Sequence, residues 1–216
     1  MLATHLANSG ALDEQLVRAC EALKLEPGQR QREQLLQYLA LLLKWNKAFN
    51  LTAITNPEQA LRLHIIDSLS ILPLLCGGKL LDIGAGAGLP GIPIAIMEPQ
   101  RSVSLLDSNS KKTRFMRQAG HELGLGNIEV IHSRVEDYQM PGGFDVITCR
   151  AFASLPDMIK GSKHLLATNG LWQAMKANDI PDAMSEVAGA EVRKIESLRV
   201  PGLAARRHLV TLAHSG

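Results

Sequence analysis

No apolar run in the 216 residues approaches the roughly 20 that a membrane-spanning helix needs, so no membrane partner is expected. Cysteine is sparse. Cys20, Cys76 and Cys149 lie far apart, in neither a metal-ligand spacing nor a disulfide framework. We therefore expect free thiols, no metal and a reducing cytoplasmic location. The opening MLATHLANSGALDEQL has no basic leader and no long apolar core, so a secretory signal is not expected. Net charge is only +2, which gives no global sign of a polyanion partner. Internal repeats and low-complexity stretches are missing too.

What is present falls into two textures. Residues 1–60 carry six basic and six acidic side chains and read as a helical N-terminal extension. Leu16, Ala19, Cys20 and Leu23 fall at helical spacing in 13–25, and Leu35, Leu36, Leu39, Leu42 and Leu43 share a face after Pro27. Asn56-Pro57 signals a helix start, predicting a third helix over 58–75. From Lys79 to the end, residues 61–216 being assigned to a second domain, β-type runs alternate with helices. The runs are KLLDIG, SVSLLDS, IEVIHS, FDVITC, LWQAMK, EVRKIESL and RHLVTLA, with a weak helix expected over 182–187. Such alternation predicts an α/β fold, a mostly parallel seven-stranded sheet with helices on both faces.

Asp82-Ile83-Gly84-Ala85-Gly86-Ala87-Gly88-Leu89-Pro90-Gly91 follows the first strand, with four glycines in eight positions. A ligand bound at the carboxyl end of a parallel strand meets such a loop. Two ligands compete. Gly86-x-Gly88-x-x-Gly91 has dinucleotide spacing, whereas Asp82-x-Gly84-x-Gly86-x-Gly88 has the spacing of S-adenosylmethionine enzymes. A pyrophosphate would bring negative charge toward Asp82; S-adenosylmethionine brings an ammonium and a sulfonium, which an acid suits. We therefore favour S-adenosylmethionine, and expect Asp82 to meet it directly or through water. Asp107, at the end of the second strand, is placed to accept ribose hydroxyls, its alternative being a helix cap. Val135 and Glu136 follow the third strand, where a backbone N–H and a carboxylate suit an adenine edge. Arg150 ends the fourth strand and suits a carboxylate, a phosphate or a structural ion pair. Cys149 is read as packing.

In order, Trp45-Asn46-Lys47-x-x-Asn50-Leu51-Thr52, His64-x-x-Asp67-Ser68, the glycine loop through Pro93, Leu106-Asp107-Ser108, Ser133-Arg134-Val135-Glu136, Arg150 to Leu155, and Arg207-His208-Leu209 form a set. That set resembles the ribosomal small-subunit RNA methyltransferase G family, also called glucose-inhibited division protein B, over about residues 35–213. The resemblance implies a class I, Rossmann-like methyltransferase fold with S-adenosyl-L-methionine as cofactor. It implies transfer to N7 of a guanine in the 530 loop of 16S rRNA, position 527, the partner being 16S rRNA or the small ribosomal subunit. It further implies that Gly84, Leu89, Val135, Glu136 and Arg150 line the cofactor site, with Asp107 at the ribose. Lys111-Lys112 and Lys176-Ala177 depart from the family's tendencies.

Guanine N7 keeps a free lone pair, so no essential general base, and hence no catalytic residue of that kind, is expected. Lys111, Arg114, Arg117 and His121 share one face of a predicted helix and, with Lys47, Arg206 and Arg207, are candidate phosphate contacts. Trp45, Phe49 and Phe152 are candidates for stacking on a base, with a core role favoured for Trp45. His64 and Asp67 are read as bracing the extension against the cofactor domain. A monomer is expected. An oxidoreductase and a non-catalytic RNA-binding module are the alternatives.

Overall fold

The computed structural model describes residues 10–150, 154–177 and 186–214. Two helices open the chain, α1 (Gly10–Ala22) and α2 (Gln29–Phe49). The third helix, α3, runs through Pro57–Ala60, Leu61–Ile66 and Asp67–Leu69, and its middle part has the wider π-type turn. Asn56 caps it by accepting the Gln59 N–H, with Pro57 at the first turn. It stops before the predicted residue 75, because Pro73 permits only a short 3-10 turn, Leu72–Leu74.

The strands follow as β1 (Leu80–Ile83), β2 (Val103–Asp107), β3 (Ile128–His132), β4 (Phe144–Arg150), β5 (Leu166–Lys176), β6 (Glu186–Val187), β7 (Ala190–Leu198) and β8 (Arg207–His214). Between them lie α4 (Gly91–Met97), α5 (Ser110–Leu123) and α6 (Leu155–Ser162). The sheet order is β3-β2-β1-β4-β5-β8-β7-β6. β1 to β5 pair in parallel, and β8 enters antiparallel between β5 and β7. The seven expected strands are all present. The two-residue β6 is an addition: residues 186–187 pair with β7 at the sheet edge where a helix was expected, while 182–185 lie outside the described residues. A Val beside an edge strand gains more from pairing than a short isolated helix can.

Alternation along the strands divides the core. Leu80, Val103, Leu105 and Val146 face one side, where α1 to α5 cover them. Leu81, Ile83, Leu106 and Ile147 face the other, against Leu155, Met158 and Ile159 of α6. Leu16, Leu35, Leu39 and Leu42 of the extension belong to the same apolar cluster as Ile92, Phe115 and the sheet, so the extension shares its core with the sheet. Polar contacts fix its seat. Gln31 donates to the carbonyls of Ile96 and Met97 at 3.2 and 2.9 Å, and Gln34 donates to that of Leu123 at 2.8 Å. These carbonyls end α4 and α5, where the helices have no partners of their own. No helix among the described residues is long and apolar enough to cross a membrane.

Candidate active site

The strand order reverses between β1 and β4, and a cleft of about 610 Å³ opens at their carboxyl ends. The glycine loop forms one wall; Thr52, from the connection before α3, and His64 and Asp67 of α3 form the opposite one.

Gly86 has φ +62°, and a Cβ built on it would point into space, with only the Gly84 carbonyl oxygen near, at 3.9 Å. A bare backbone is thus presented to the cleft. Its N–H donates to Asp107 Oδ2 at 2.9 Å, while Asp107 Oδ1 accepts the Asn109 N–H at 2.8 Å. The cap of α5 is Asn109, not Asp107. Lys112 Nζ stands 3.9 Å from Asp107 Oδ2 and lines the cleft, a neighbour that sequence reading missed.

Asp82 lies deeper than expected. It is fully buried beneath the loop and is not among the residues lining the cleft. Its Oδ2 accepts the Gly91 N–H at 2.9 Å, and its Oδ1 has no partner. A Cβ on Gly91 would run into Leu105 and stand 2.9 Å from that Oδ2, so only glycine allows the close approach. Burial pushes the Asp82 carboxyl up to about 7, against the opposing effects of the Gly91 N–H and Arg150. The folded state then holds a proton that the unfolded chain has released, so stability falls as pH rises from about 4 to 7 and levels off above. Asp82→Asn removes this dependence. The stability of the variant relative to the native chain should rise by on the order of 2–4 kcal/mol between pH 4 and 8, checked by denaturant titration at each pH. A constant difference would place the ionisation elsewhere.

Arg150 is engaged by the chain itself. Its Nη1 donates to the Leu63 carbonyl at 2.6 Å and to Asp67 Oδ2 at 3.3 Å, and its Nη2 lies 3.3 Å from His64 Nδ1. Arg207 Nε donates to Asp67 Oδ1 at 3.1 Å. One buried carboxylate therefore ties α3 to β4 and β8, and Arg207, a candidate phosphate contact from sequence, is half-buried in this network. Burial and the Arg150 charge lower the His64 pKa to about 4 and keep the ring neutral.

Val135 and Glu136 are not among the residues lining the cleft and lie beside α6. A Cβ on Gly161 would lie 3.2 Å from Val135 Cγ1 and 3.5 Å from Glu136 Oε1. Gly84 and Leu89 line the cleft; Gly88 supports the loop from outside the lining set, at φ +88°. Cys149 is buried, its Sγ 3.1 Å from Met158 Sδ. Trp45 stacks on Phe49 at 5.0 Å and meets Phe115 edge-on at 5.6 Å, which gives it a packing role. Phe152 lies outside the described residues. Lys47, Lys111, Arg114, Arg117 and Arg206 are exposed, and the apolar face of α5 is buried as its periodicity requires.

The sequence profile described as rRNA small subunit methyltransferase G (GidB) matches residues 31–210, which include the cleft and both of its walls. The chain belongs to this family. Ribosomal RNA small subunit methyltransferase G of Ectopseudomonas mendocina (strain ymp) is 46% identical over 205 residues, covering 94% of this chain and 96% of its own length. The protein of the same name from Hydrogenovibrio crunogenus (strain DSM 25203 / XCL-2) is 48% identical over 195 residues, covering 90% of each. Among solved structures, a SAM-dependent methyltransferase from Aquifex aeolicus superposes with a TM-score of 0.55 at 16% identity, covering 78% of this chain and 96% of that one. A SAM-dependent methyltransferase from Thiobacillus denitrificans, solved with S-adenosyl-L-homocysteine, gives 0.50 at 14% identity, covering 73% and 96%. The fold of this methyltransferase G family member is therefore the class I methyltransferase fold. What sequence reading did not bring to the cleft is Thr52, 98 residues before Arg150; only the fold joins them.

Proposed function

We propose that this chain transfers the methyl group of S-adenosylmethionine to N7 of a guanine in small-subunit rRNA, in the 530 loop of 16S rRNA. The observation that carries the reading is the glycine-walled cleft at the β1/β4 switch point, within the segment matched by the rRNA methyltransferase G profile. The residues present fit the cofactor. Gly86 leaves open the space that a Cβ would take. Asp107 spends one lone pair of each oxygen on a backbone N–H and keeps others for the two hydroxyls of a ribose. We assign Gly84, Gly86 and Leu89 to the cofactor's methionyl side, Asp107 to the ribose and Val135 with Glu136 to the adenine. Asp82 acts from below, by holding the Gly91 N–H.

When bound, S-adenosylmethionine supplies an electrophilic sulfonium methyl. The chain's share is binding and alignment. Guanine N7 has its lone pair in the plane of the neutral base, so no side chain has to remove a proton. Positioning of this kind is enough for large rate gains. We assign phosphate contacts to the exposed Lys111, Arg114 and Arg117 on α5, with Lys47 and Arg206.

The test incubates the purified chain with methyl-labelled S-adenosylmethionine and small subunits, or their rRNA, from a strain without the modification. Label at guanine N7 in the 530 loop is expected. Label at another atom, or none, would reject the reading. Calorimetry with S-adenosylmethionine and with NAD separates it from the oxidoreductase alternative.

A further inference from the structure

Both purines expose N7 with a free lone pair, so in-line geometry alone does not choose guanine over adenine. The choice lies one atom away on the same edge: guanine carries the acceptor O6, adenine the donor N6 amino group. A guanine enzyme needs a donor there that cannot turn into an acceptor. A hydroxyl normally does either, since its proton rotates.

The hydroxyl of Thr52 is not free in this way. It lines the cleft, and its segment is fixed by the Thr52 N–H donating to Asn46 Oδ1 at 2.8 Å. Oγ1 accepts the Ile54 N–H at 3.1 Å, an ST turn. It also lies 2.9 Å from His64 Nε2. The direction of that second bond follows from the other end of the ring. The Leu63 carbonyl also faces the His64 ring, but it already accepts from Arg150 Nη1 at 2.6 Å; Arg150 Nη2 stands 3.3 Å from His64 Nδ1, and a guanidinium has no lone pair to offer, so Nδ1 accepts. The neutral ring then carries its proton on Nε2 and donates it to Thr52. Both lone pairs of Oγ1 are thereby used, which leaves its proton for a ligand in the cleft that Thr52 lines.

We propose that Thr52 is a specificity residue whose hydroxyl, locked as a donor by His64 and Arg150, reads O6 of the target guanine and rejects the adenine amino group. This rests on the guanine-N7 reading above. Lys112, Lys176, Arg150 and Arg207 also line the cleft. Arg150 and Arg207 are held by Asp67, and a lysine ammonium on a flexible stem orients no single bond, so the fixed donor is Thr52.

The experiment compares the native chain, Thr52→Val and Thr52→Ser on rRNA carrying guanine or 2-aminopurine at the target position. 2-Aminopurine is guanine without O6. We expect the native chain and Thr52→Ser to prefer guanine by about 10- to 100-fold in kcat/KM, and Thr52→Val to bring that ratio close to one. Calorimetry with S-adenosylmethionine alone is run on each, with a thermal melt to confirm folding. An unchanged ratio in Thr52→Val overturns the proposal. So does lost cofactor affinity with the ratio intact, which would assign the hydroxyl to the cofactor's carboxylate. Mapping of the native product separates the underlying reading: methylation away from guanine N7 fails that reading and takes this inference with it. Guanine N7 product with an unchanged ratio fails the inference alone.

Discussion

Gly86→Val lowers the affinity for S-adenosylmethionine by two orders of magnitude or more while the chain remains folded. Two effects add. A β-branched residue at φ +62° is strained, on the order of 1–2 kcal/mol. Its side chain also enters the cleft, because nothing but the Gly84 carbonyl oxygen lies within 4 Å of the Cβ position. That open space means the substitution displaces ligand, not core, so the melting temperature shifts by only a few degrees. Isothermal titration with S-adenosylmethionine, beside a thermal melt, measures both. Native affinity in the variant would show that the loop does not hold the cofactor.

The second large effect concerns stability. Asp67→Asn should destabilise the chain by about 3 kcal/mol, lowering the melting temperature by roughly 6–12 °C. The side chain of Asp67 is only 4% exposed, and those of Arg150 and Arg207 are 21% and 17% exposed, so solvent screens the trio weakly. Removing the carboxylate charge leaves two guanidinium groups facing a neutral amide that can accept through one oxygen only. A melt within 1 °C of the native chain would mean that the network adds nothing beyond geometry.

The glycine loop was legible in the sequence because its signal is local: a strand, a run of glycines and a helix start occupy a dozen consecutive residues. The strands were legible for a similar reason, since a covered parallel sheet writes short apolar runs. Asp82 shows where that reading stops. Its residue type suited a cationic ligand, but its depth depended on β1, whose four residues are all buried. Charge type told nothing of depth. The Thr52–His64–Arg150 chain was illegible for another reason: its members come from a connection, a helix and a strand, and only the folded arrangement turns an ordinary hydroxyl into a directed one. Residues 186–187 were misread as helical because a two-residue edge strand leaves no periodicity to detect; β7 beside it decides its state.

Gln31 and Gln34 reach main-chain oxygens of Ile96, Met97 and Leu123, not their side chains. Such docking depends little on which residues end α4 and α5. Their last turns can drift in sequence without loosening the extension, provided the helices keep their lengths. A one-residue insertion or deletion there swings the terminal carbonyls by about 100° around the helix axis and breaks the fit. Tolerance at this seam is thus broad to substitution and narrow to changes of length.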